Sequence, residues 1–358
     1  MNIRVHSLEL NRMMKVVSQC IGLKETKMGN VEIRHENNQL SIRGTNGTFM
    51  AEMSTPVLGG DGEGFCVDGE MFGKVCAMCN GEVSIIAEDK TCTIKGVGRT
   101  KMPIVKADIP EMKHVGDEHS MTIKESMFSR MYRNVAYAVG NDQNRAVLNG
   151  VFVQTDRDGV RFVSLDGFQM SMEHGECDWD NGVSAVVPGA FMKLIAQGSA
   201  GCDQIVIKSD GTRLEAIADG MDLTCGLLTG EFPDYQRLIP ADFKTESLIN
   251  VEAFRNALKA GNAVNSKQNL VRMDVGPDCI RIMSNTEEAF YDAEVPCKTQ
   301  GPGLAIAFNQ KYLMNLLSSI DTDDVVMKFN GMTSPCVGQG YEQNGIRLVL
   351  PVRIQGGA

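Results

Sequence analysis

The chain has 358 residues, of which 43% are hydrophobic and 22% charged, and its net charge is −10. A single hydrophobic core stops growing at roughly 250–300 residues, so this length predicts two or three domains. The composition excludes a disordered or low-complexity protein. The acidic balance argues against a protein that coats nucleic acid with its whole surface, although it allows one basic face.

The sequence also predicts a reduced, cytoplasmic environment. The eleven cysteines are spread from Cys20 to Cys336 without the dense spacing of a disulfide scaffold. No apolar run is long enough to cross a bilayer, and residues 1–6 lack the apolar core of a signal peptide. We therefore expect buried thiols in a cytoplasmic protein.

The first third of the chain contains two predicted helices and two clear strands. Residues 40–43 and 83–86 alternate as strands do, and Asn46-Gly47 is a turn signal after the first of them. Residues 69–75 predict the second helix. The first helix is indicated by an apolar stripe at helical spacing, formed by Leu10, Met13, Met14, Val17 and Ile21.

The same order of elements returns in the middle third. Residues 160–163 precede the turn signal Asp166-Gly167, residues 189–194 predict a helix, and residues 205–208 predict a strand. The opening helix is indicated by the stripe Phe128, Met131, Val135 and Ala138.

The last third repeats the order again. Residues 279–283 precede the turn signal Ser284-Asn285, residues 310–317 predict a helix, and residues 325–328 predict a strand. The opening helix is indicated by the stripe Phe254, Ala257, Leu258 and Gly261.

These elements form an internal repeat with a period of roughly 120 residues. It predicts an α+β protein of three repeated domains, each with two helices packed on antiparallel sheets, over residues 1–117, 118–246 and 247–358. The alternative is a pair of unrelated α+β domains whose periodicity is accidental.

One segment carries a family resemblance. Residues 230–240 contain Phe232-Pro233-Asp234-Tyr235, which resembles the signature closing the middle domain of the bacterial DNA polymerase sliding clamp, the beta subunit of DNA polymerase III. Residues 348–354 resemble that family's carboxy-terminal strand, and residues 148–150 and 164–167 resemble its middle-domain segments. The resemblance implies a non-enzymatic processivity factor without a cofactor, which encircles duplex DNA as a dimeric ring and tethers a replicative polymerase.

The resemblance also implies three sets of site residues. The first set consists of basic helix residues that would face DNA phosphates without reading the base sequence: Arg12, Lys15, Lys74, Arg130, Arg133, Lys193, Arg255 and Lys259. The alternative is that these residues form ordinary solvated helix faces. A cleft would bind short peptides of the polymerase, the clamp loader and other proteins, lined by Leu148, Leu165, Gly167, Phe168, Met170, Pro233, Arg237, Leu238, Val349, Leu350, Pro351, Val352 and Arg353. The homodimer contacts would include Met102, Ile104, Ala263 and Val264.

The chain departs from the family pattern at two places. Phe168-Gln169 stands where the family commonly has a His-Arg pair, and residues 355–358 extend past its usual end. Both departures bear on the choice of partner rather than on the fold.

Other signals point to chemistry more weakly. Cys76 and Cys79 have the spacing of a redox or zinc half-site, but they lie on the predicted helix that carries Phe72 and Val75, with no second pair at ligand spacing. The histidines form no ligand motif, and the glycine-rich residues 59–64 lack the lysine of a phosphate loop and predict a surface turn. A cysteine-dependent enzyme and a sequence-specific DNA-binding protein stay open as alternatives, and neither has a motif of its own.

Overall fold

The computed structural model describes residues 1–23, 26–264 and 269–353. Ile354, in the segment assigned to the terminal strand, and the four residues that follow it lie outside this described part. The described helices are α1 (Ser7–Val17), α2 (Gly69–Ala77), α3 (Glu125–Val135), α4 (Gly189–Gly198), α5 (Val251–Gly261) and α6 (Gln310–Ser318). No helix in these ranges is long and apolar enough to cross a membrane.

The strands of the first repeat are β1 (Asn2–His6), β2 (Asn30–Glu36), β3 (Gln39–Thr45), β4 (Phe49–Pro56), β5 (Gly59–Asp61), β6 (Phe65–Asp68), β7 (Glu82–Glu88), β8 (Thr91–Lys95) and β9 (Arg99–Pro103). Those of the second are β10 (Ser120–Lys124), β11 (Gly150–Asp156), β12 (Gly159–Leu165), β13 (Gln169–Gly175), β14 (Asp178–Asp180), β15 (Ser184–Pro188), β16 (Gln204–Ser209), β17 (Arg213–Ala218) and β18 (Met221–Gly226). Those of the third are β19 (Thr245–Asn250), β20 (Leu270–Val275), β21 (Cys279–Asn285), β22 (Phe290–Gln300), β23 (Leu304–Asn309), β24 (Asp324–Phe329), β25 (Cys336–Gly340) and β26 (Ile346–Val349).

The element order confirms the threefold repeat and the mixed α+β class. Each of the six helices begins directly after a strand, as α1 follows β1, α3 follows β10 and α5 follows β19. Several helix starts have a polar cap: Asp68 accepts a hydrogen bond from the N–H of Met71 (2.7 Å), and Asn250 accepts one from Ala253 (3.0 Å). Such caps satisfy amide groups that the first helical turn leaves without partners.

The chain packs into two compact units. Unit 1 contains residues 1–129, 154–159 and 176–228, and unit 2 contains residues 130–153, 160–175 and 229–358. The units follow the packing of strands into shared sheets, so the predicted boundaries near residues 117 and 246 stay predictions.

Unit 1 is built on two antiparallel sheets. One has the strand order β5-β1-β7-β8-β9, and the other has the order β14-β10-β16-β17-β18-β4-β3-β2-β6. In the larger sheet β4 pairs with β18, which joins strands of the first and second repeats edge to edge. The helix residues Leu10, Met13, Phe72 and Phe191 are fully buried against these sheets.

Unit 2 joins the second and third repeats in the same way. Its strands run in the order β12-β13-β26-β25-β24-β19-β22-β21-β20-β23, and β13 pairs with β26. Phe254 and Leu258 of α5 pack with Leu313 and Leu316 of α6 in one buried cluster.

Some local predictions were wrong. Ile21 lies beyond α1, which ends at Val17, where the N–H of Cys20 bonds to the carbonyl of Val17. Ala138 lies in a short 3-10 turn after α3. Both residues belong to a stripe at helical spacing, but apolar spacing alone does not fix the residue at which a helix ends.

Three further details differ from the prediction. Asn285 belongs to β21, and the turn comes one residue later, at Thr286–Ala289, where the N–H of Thr286 bonds to the carbonyl of Ala289 (2.8 Å). The segment expected to be a surface turn includes β5, which pairs with β1. Cys79 lies past the end of α2.

Candidate functional site

The turn between β12 and β13 fixes the direction of two neighbouring side chains. One carboxylate oxygen of Asp166 accepts hydrogen bonds from the N–H groups of Phe168 (2.8 Å) and Gln169 (2.9 Å), and Gly167 has φ +91°. Phe168 is 58% exposed, whereas Gln169 is buried. The turn therefore presents Gly167 and Phe168 at the surface of unit 2.

The carboxy-terminal strand lies beside this turn. Gln169 is opposite Val349 and Met170 is opposite Leu348, and the N–H of Leu350 donates to the carbonyl of Phe168 at 2.9 Å. Residues 165–170 and 348–353, far apart in the chain, are thus brought together in unit 2.

Several residues predicted to line the cleft form its buried floor. Leu148, Leu165 and Met170 pack with Tyr235 and Leu348 in one hydrophobic cluster. Val349 is also fully buried, within the larger core of unit 2. Their contribution to a site is to support the surface above them.

The accessible apolar side chains surround that floor. Phe168, Leu238, Leu350 and Val352 are each between 38% and 58% exposed. Leu238 ends the 3-10 turn Tyr235–Leu238, whose Tyr235 is anchored in the buried cluster. The remaining predicted cleft residues are half-buried or exposed: Gly167, Pro233, Arg237, Pro351 and Arg353.

One residue of this surface, Tyr312, was not predicted from the sequence. Tyr312 of α6 stacks on Phe168, with ring centroids 5.9 Å apart and an angle of 13° between the ring planes. In the sequence Tyr312 is only an aromatic residue in a polar stretch at the start of a predicted helix. The structure shows that it is half-buried. No sequence signal pairs it with a turn 144 residues earlier.

Gln169 has a structural role in the same turn. Its amide nitrogen donates to the carbonyl of Tyr137 (3.2 Å) and to the Asp166 carboxylate (2.9 Å), and its amide oxygen accepts from Asn315 (3.2 Å). The two residues that depart from the family pattern therefore point in opposite directions, and only Phe168 can contact a ligand directly.

The predicted basic residues of unit 1 lie on α1, α2 and α4. Lys15, Lys74 and Lys193 are exposed, and Arg12 is half-buried. A groove of about 560 Å³ between α1 and α2 is lined by Lys15 and Lys74 among others. The ammonium group of Lys74 lies 2.5 Å from the Glu70 carboxylate, which raises the pKa of Lys74.

In unit 2 the predicted arginines make internal contacts. Arg130 donates to the Glu173 carboxylate (2.9 Å), and Arg255 donates to the carbonyl of Leu317 (2.8 Å). Arg133 is exposed, 3.6 Å from the Asp321 carboxylate, and Lys259 is exposed. Half-buried arginines held in this way contribute less to an accessible basic surface than the lysines do.

The predicted dimer residues differ in accessibility. Met102 belongs to β9, an edge strand, but its side chain is 2% exposed, so only the backbone of that residue lies at the edge. Ile104 is half-buried, and its N–H donates to the carbonyl of Lys90 (2.9 Å). Ala263 and Val264 lie in the 3-10 turn Asn262–Val264, which follows α5.

Burial makes the predicted half-site, Cys76 and Cys79, poorly suited to reactive or metal chemistry. All eleven are free thiols, and Cys76 and Cys79 are both buried. Burial raises the pKa of both thiols, which disfavours the thiolate needed for nucleophilic or metal chemistry.

Among the described residues, one group has a possible metal-ligand composition. His114, Glu215 and Asp222 of unit 1 place their ligand atoms within 4.8 Å of one another. The Nδ1 atom of His114 lies 2.6 Å from the Glu215 carboxylate, which is the distance of a hydrogen bond. The sequence did not indicate this group, because both carboxylates come from strands about 100 residues after His114.

Two family models match the chain, and both describe the DNA polymerase III beta subunit. The model of the central domain matches residues 122–234, and the model of the C-terminal domain matches residues 236–353, so together they cover more than half of the chain.

Individual relatives agree with this match. The beta sliding clamp of Bacillus subtilis is 24% identical over 286 residues, which cover 76% of this chain and 75% of the relative. That of Vibrio cholerae is 22% identical over 339 residues, covering 91% and 92%.

Solved structures share the fold over nearly the whole chain. The beta subunit of Thermotoga maritima superposes with a TM-score of 0.92 at 23% identity, covering 99% of this chain and 100% of the other. A sliding clamp of Pseudomonas aeruginosa, solved with griselimycin bound, gives 0.91 at 21% identity with the same coverage. The chain belongs to the family of bacterial DNA polymerase III beta subunits, the beta sliding clamps.

Proposed function

We propose that the protein is a sliding clamp, a processivity factor that encircles duplex DNA and tethers the replicative polymerase to it. It acts as an accessory subunit rather than as an enzyme. The observation that carries the proposal is the pairing of β13 with β26, which assembles one apolar surface from segments that match both family models.

The DNA contacts of this proposal are electrostatic. Of the basic residues predicted on the repeated helices, the exposed ones are Lys15, Lys74, Arg133, Lys193 and Lys259. Cationic side chains attract phosphates without reading bases, so a ring lined by them slides along DNA. The net charge of −10 supports attraction confined to one face.

The polymerase contact uses the apolar surface of unit 2. A short peptide would place apolar side chains against Phe168, Leu238 and Leu350, above the floor formed by Leu148 and Met170. Each buried anchor contributes about 1–3 kcal/mol to binding. The clamp loader and other clamp-binding proteins would use the same surface at different times.

Ring closure requires a second copy of the chain. We place the contact between the backbone edge of β9 in one protomer and the region of Ala263 and Val264 in its partner. Covering that edge would protect a strand that otherwise invites aggregation. A head-to-tail contact of this kind closes by rotation into a ring.

The test is topological. The protein is loaded onto nicked circular DNA with its clamp loader, and the complex is isolated by gel filtration before and after one restriction cut. A clamp stays on the circle and slides off the linear product. Equal retention on both forms, or retention that depends on one DNA sequence, would contradict the proposal and favour a site-specific DNA-binding protein.

A further inference from the structure

A segment of unit 1 crosses the face of the nine-stranded sheet. This segment, residues 109–117, is called the strap. Ile109 and Val115 anchor it through buried side chains, and Ile109 packs with Met50 and Cys66. The strap follows β9 and precedes β10, so it links the first and second repeats within unit 1.

The sheet beneath the strap carries a row of charged residues. The strand register places Glu32 opposite Arg43, Arg43 opposite Glu52, and Glu52 opposite Asp222. Further along, Glu215 lies opposite Lys208. Directly opposed residues share a face, and residues two apart along a strand do so too. The row therefore continues from β2 through β3, β4, β18 and β17 to β16.

Three strap residues at every third position, Glu111, His114 and Asp117, contact residues of opposite charge on the sheet. Glu111 binds Arg34 (2.7 Å) and Arg43 (2.5 Å). His114 lies 2.6 Å from the Glu215 carboxylate and 3.5 Å from that of Asp222. Asp117 lies 2.6 Å from the ammonium group of Lys208.

The outer two contacts and the central one respond differently to pH. The outer contacts join carboxylates to arginine or lysine, which stay charged throughout the physiological range. The central contact depends on a histidine, the side chain whose charge changes in that range. We propose that the strap is a pH-sensitive clasp, fastened at its centre by the His114 imidazolium on the Glu215 carboxylate, beside Asp222, and released there when the proton leaves.

The surroundings of His114 support this proposal. Glu215 on β17 and Asp222 on β18 face it directly, Lys208 on β16 opposes its charge, and Glu52 on β4 acts on Asp222. The hydrogen bond to Glu215 raises the pKa of His114. Burial, and then the nearby Glu215, raise the pKa of Asp222 to about 7. Above about pH 7, where Asp222 ionises, loss of the imidazolium leaves two neighbouring carboxylates facing each other with no cation between them.

Release also has a path. His114 is largely exposed, and a cavity of about 380 Å³ beside it is lined by Arg43, Glu52 and Asp222 among others. Water can therefore replace the histidine. The N–H of Val115 donates to the second oxygen of Glu215 (2.9 Å). Exchange of this amide hydrogen therefore depends on whether the strap is held against Glu215.

The position of the strap gives the clasp a structural consequence. Glu111 holds strands of the first repeat, whereas His114 and Asp117 hold strands of the second. The strap thus spans the β4–β18 pairing that joins the two repeats. Loss of the central contact removes the charged contact nearest this junction, between those of Glu111 and Asp117.

Hydrogen exchange measured by mass spectrometry tests the proposal in the full-length protein with EDTA present. The protection factor of a peptide containing Val115, corrected for the intrinsic exchange rate at each pH, is followed from about pH 6 to about pH 8. We expect it to fall roughly tenfold as His114 loses its proton.

Three variants complete the design. His114→Asn cannot carry the charge and should show low protection at both ends of the range. His114→Lys carries it throughout and should stay protected. His119→Asn, which changes another exposed histidine five residues away, should behave like the unmodified protein.

Two results would overturn the clasp. One is protection that is independent of pH in the unmodified protein, or that falls equally in His114→Asn. The other is protection that appears only when Zn²⁺ replaces EDTA, which would make His114, Glu215 and Asp222 a metal site instead. Neither readout involves DNA or the binding of a polymerase peptide, so failure of the clasp leaves the proposed function untouched.

Discussion

At the scale of single residues, position in a turn decides role more than residue type does. Phe168 and Gln169 are neighbours, yet the Asp166 side chain bonds to both of their N–H groups and directs one side chain to the surface and the other inward. An apolar residue is therefore the accessible one and a polar residue is buried. The buried amide is satisfied by hydrogen bonds to Tyr137 and Asp166, which is the condition for burying a polar group at low cost.

The exposure of Phe168 yields the first prediction. Phe168→Ala removes a ring that stacks on Tyr312 and is more than half exposed, so we expect roughly tenfold weaker binding of a polymerase-derived peptide by calorimetry, with little change in melting temperature. The matched control is Phe290→Ala, because Phe290 is also exposed in unit 2 but lies on β22. A large fall in melting temperature with unchanged affinity would mean that Phe168 serves the fold.

The basic residues separate into two classes, which gives the second prediction. Lys193→Glu reverses an exposed charge and should weaken retention on DNA in a salt-dependent way while the protein stays folded. Arg130→Glu would instead place a second carboxylate against Glu173, which also pairs with the buried Arg347. It should lower the melting temperature by several degrees.

Thermal melts and DNA-retention assays on both variants distinguish these effects. Equal thermal stability of the two variants would show that the Arg130–Glu173 contact contributes nothing to folding. Retention by Lys193→Glu that is unchanged at all salt concentrations would remove Lys193 from the DNA surface.

At the scale of elements, strand pairing between repeats builds the candidate site. β26 contributes its pairing with β13, and the residues after it add hydrogen bonds from the N–H of Leu350 to Phe168 and from that of Val352 to Ala307. The buried pair Arg347 and Glu173 connects the same two strands, and Arg347 also donates to the carbonyl of Ser319 at 2.7 Å. The position of the terminal segment is thereby fixed at several points.

The third prediction concerns that segment. Deleting the chain from Leu350 onward removes Leu350 and Val352 but keeps all of β26, so peptide binding should fall strongly while the dimer survives. Deleting only the last five residues is the matched control: it keeps Leu350 and Val352, so the strong loss of affinity should not occur. Analytical ultracentrifugation and calorimetry on the same samples check both results; dissociation of the longer deletion into monomers would place the terminal segment at the dimer contact.

At the scale of the whole molecule, opposing pKa shifts set the pH dependence of stability. The contacts with Arg43 and Arg34 lower the pKa of Glu111 from 4.5 to about 2, so its contribution is present above pH 4.5 and is lost as the pH falls toward 2. Burial raises the pKa of Asp222 from 3.8 to about 7, so its effect has the opposite sign: stability falls as the pH rises from 3.8 toward 7. The pKa of His114 is also raised, so its contribution to stability is likewise lost as the pH rises.

We therefore predict that unit 1 is most stable at about pH 4, where the contribution of Glu111 is nearly complete and the loss caused by Asp222 is only beginning. Thermal melts across the acid and neutral range check this, and Asp222→Asn is the informative variant because it removes a carboxylate that folding must keep protonated. It should flatten the decline toward neutral pH. A decline of the same slope in that variant would assign the effect to other groups.

The sequence alone determined the repeat, the α+β class, the six helices and the segments that match the family, because apolar periodicity and turn residues are local signals carried by each stretch of chain. Only the tertiary structure decided which strands join across repeats, that Met102 and Met170 are buried, that Tyr312 stacks on Phe168, and that the strap aligns Glu111, His114 and Asp117 with charges on the sheet. These facts depend on pairings between residues often more than 100 positions apart. Periodicity within a segment predicts that a strand has a partner, but the choice of partner follows from packing and charge over the assembled sheet.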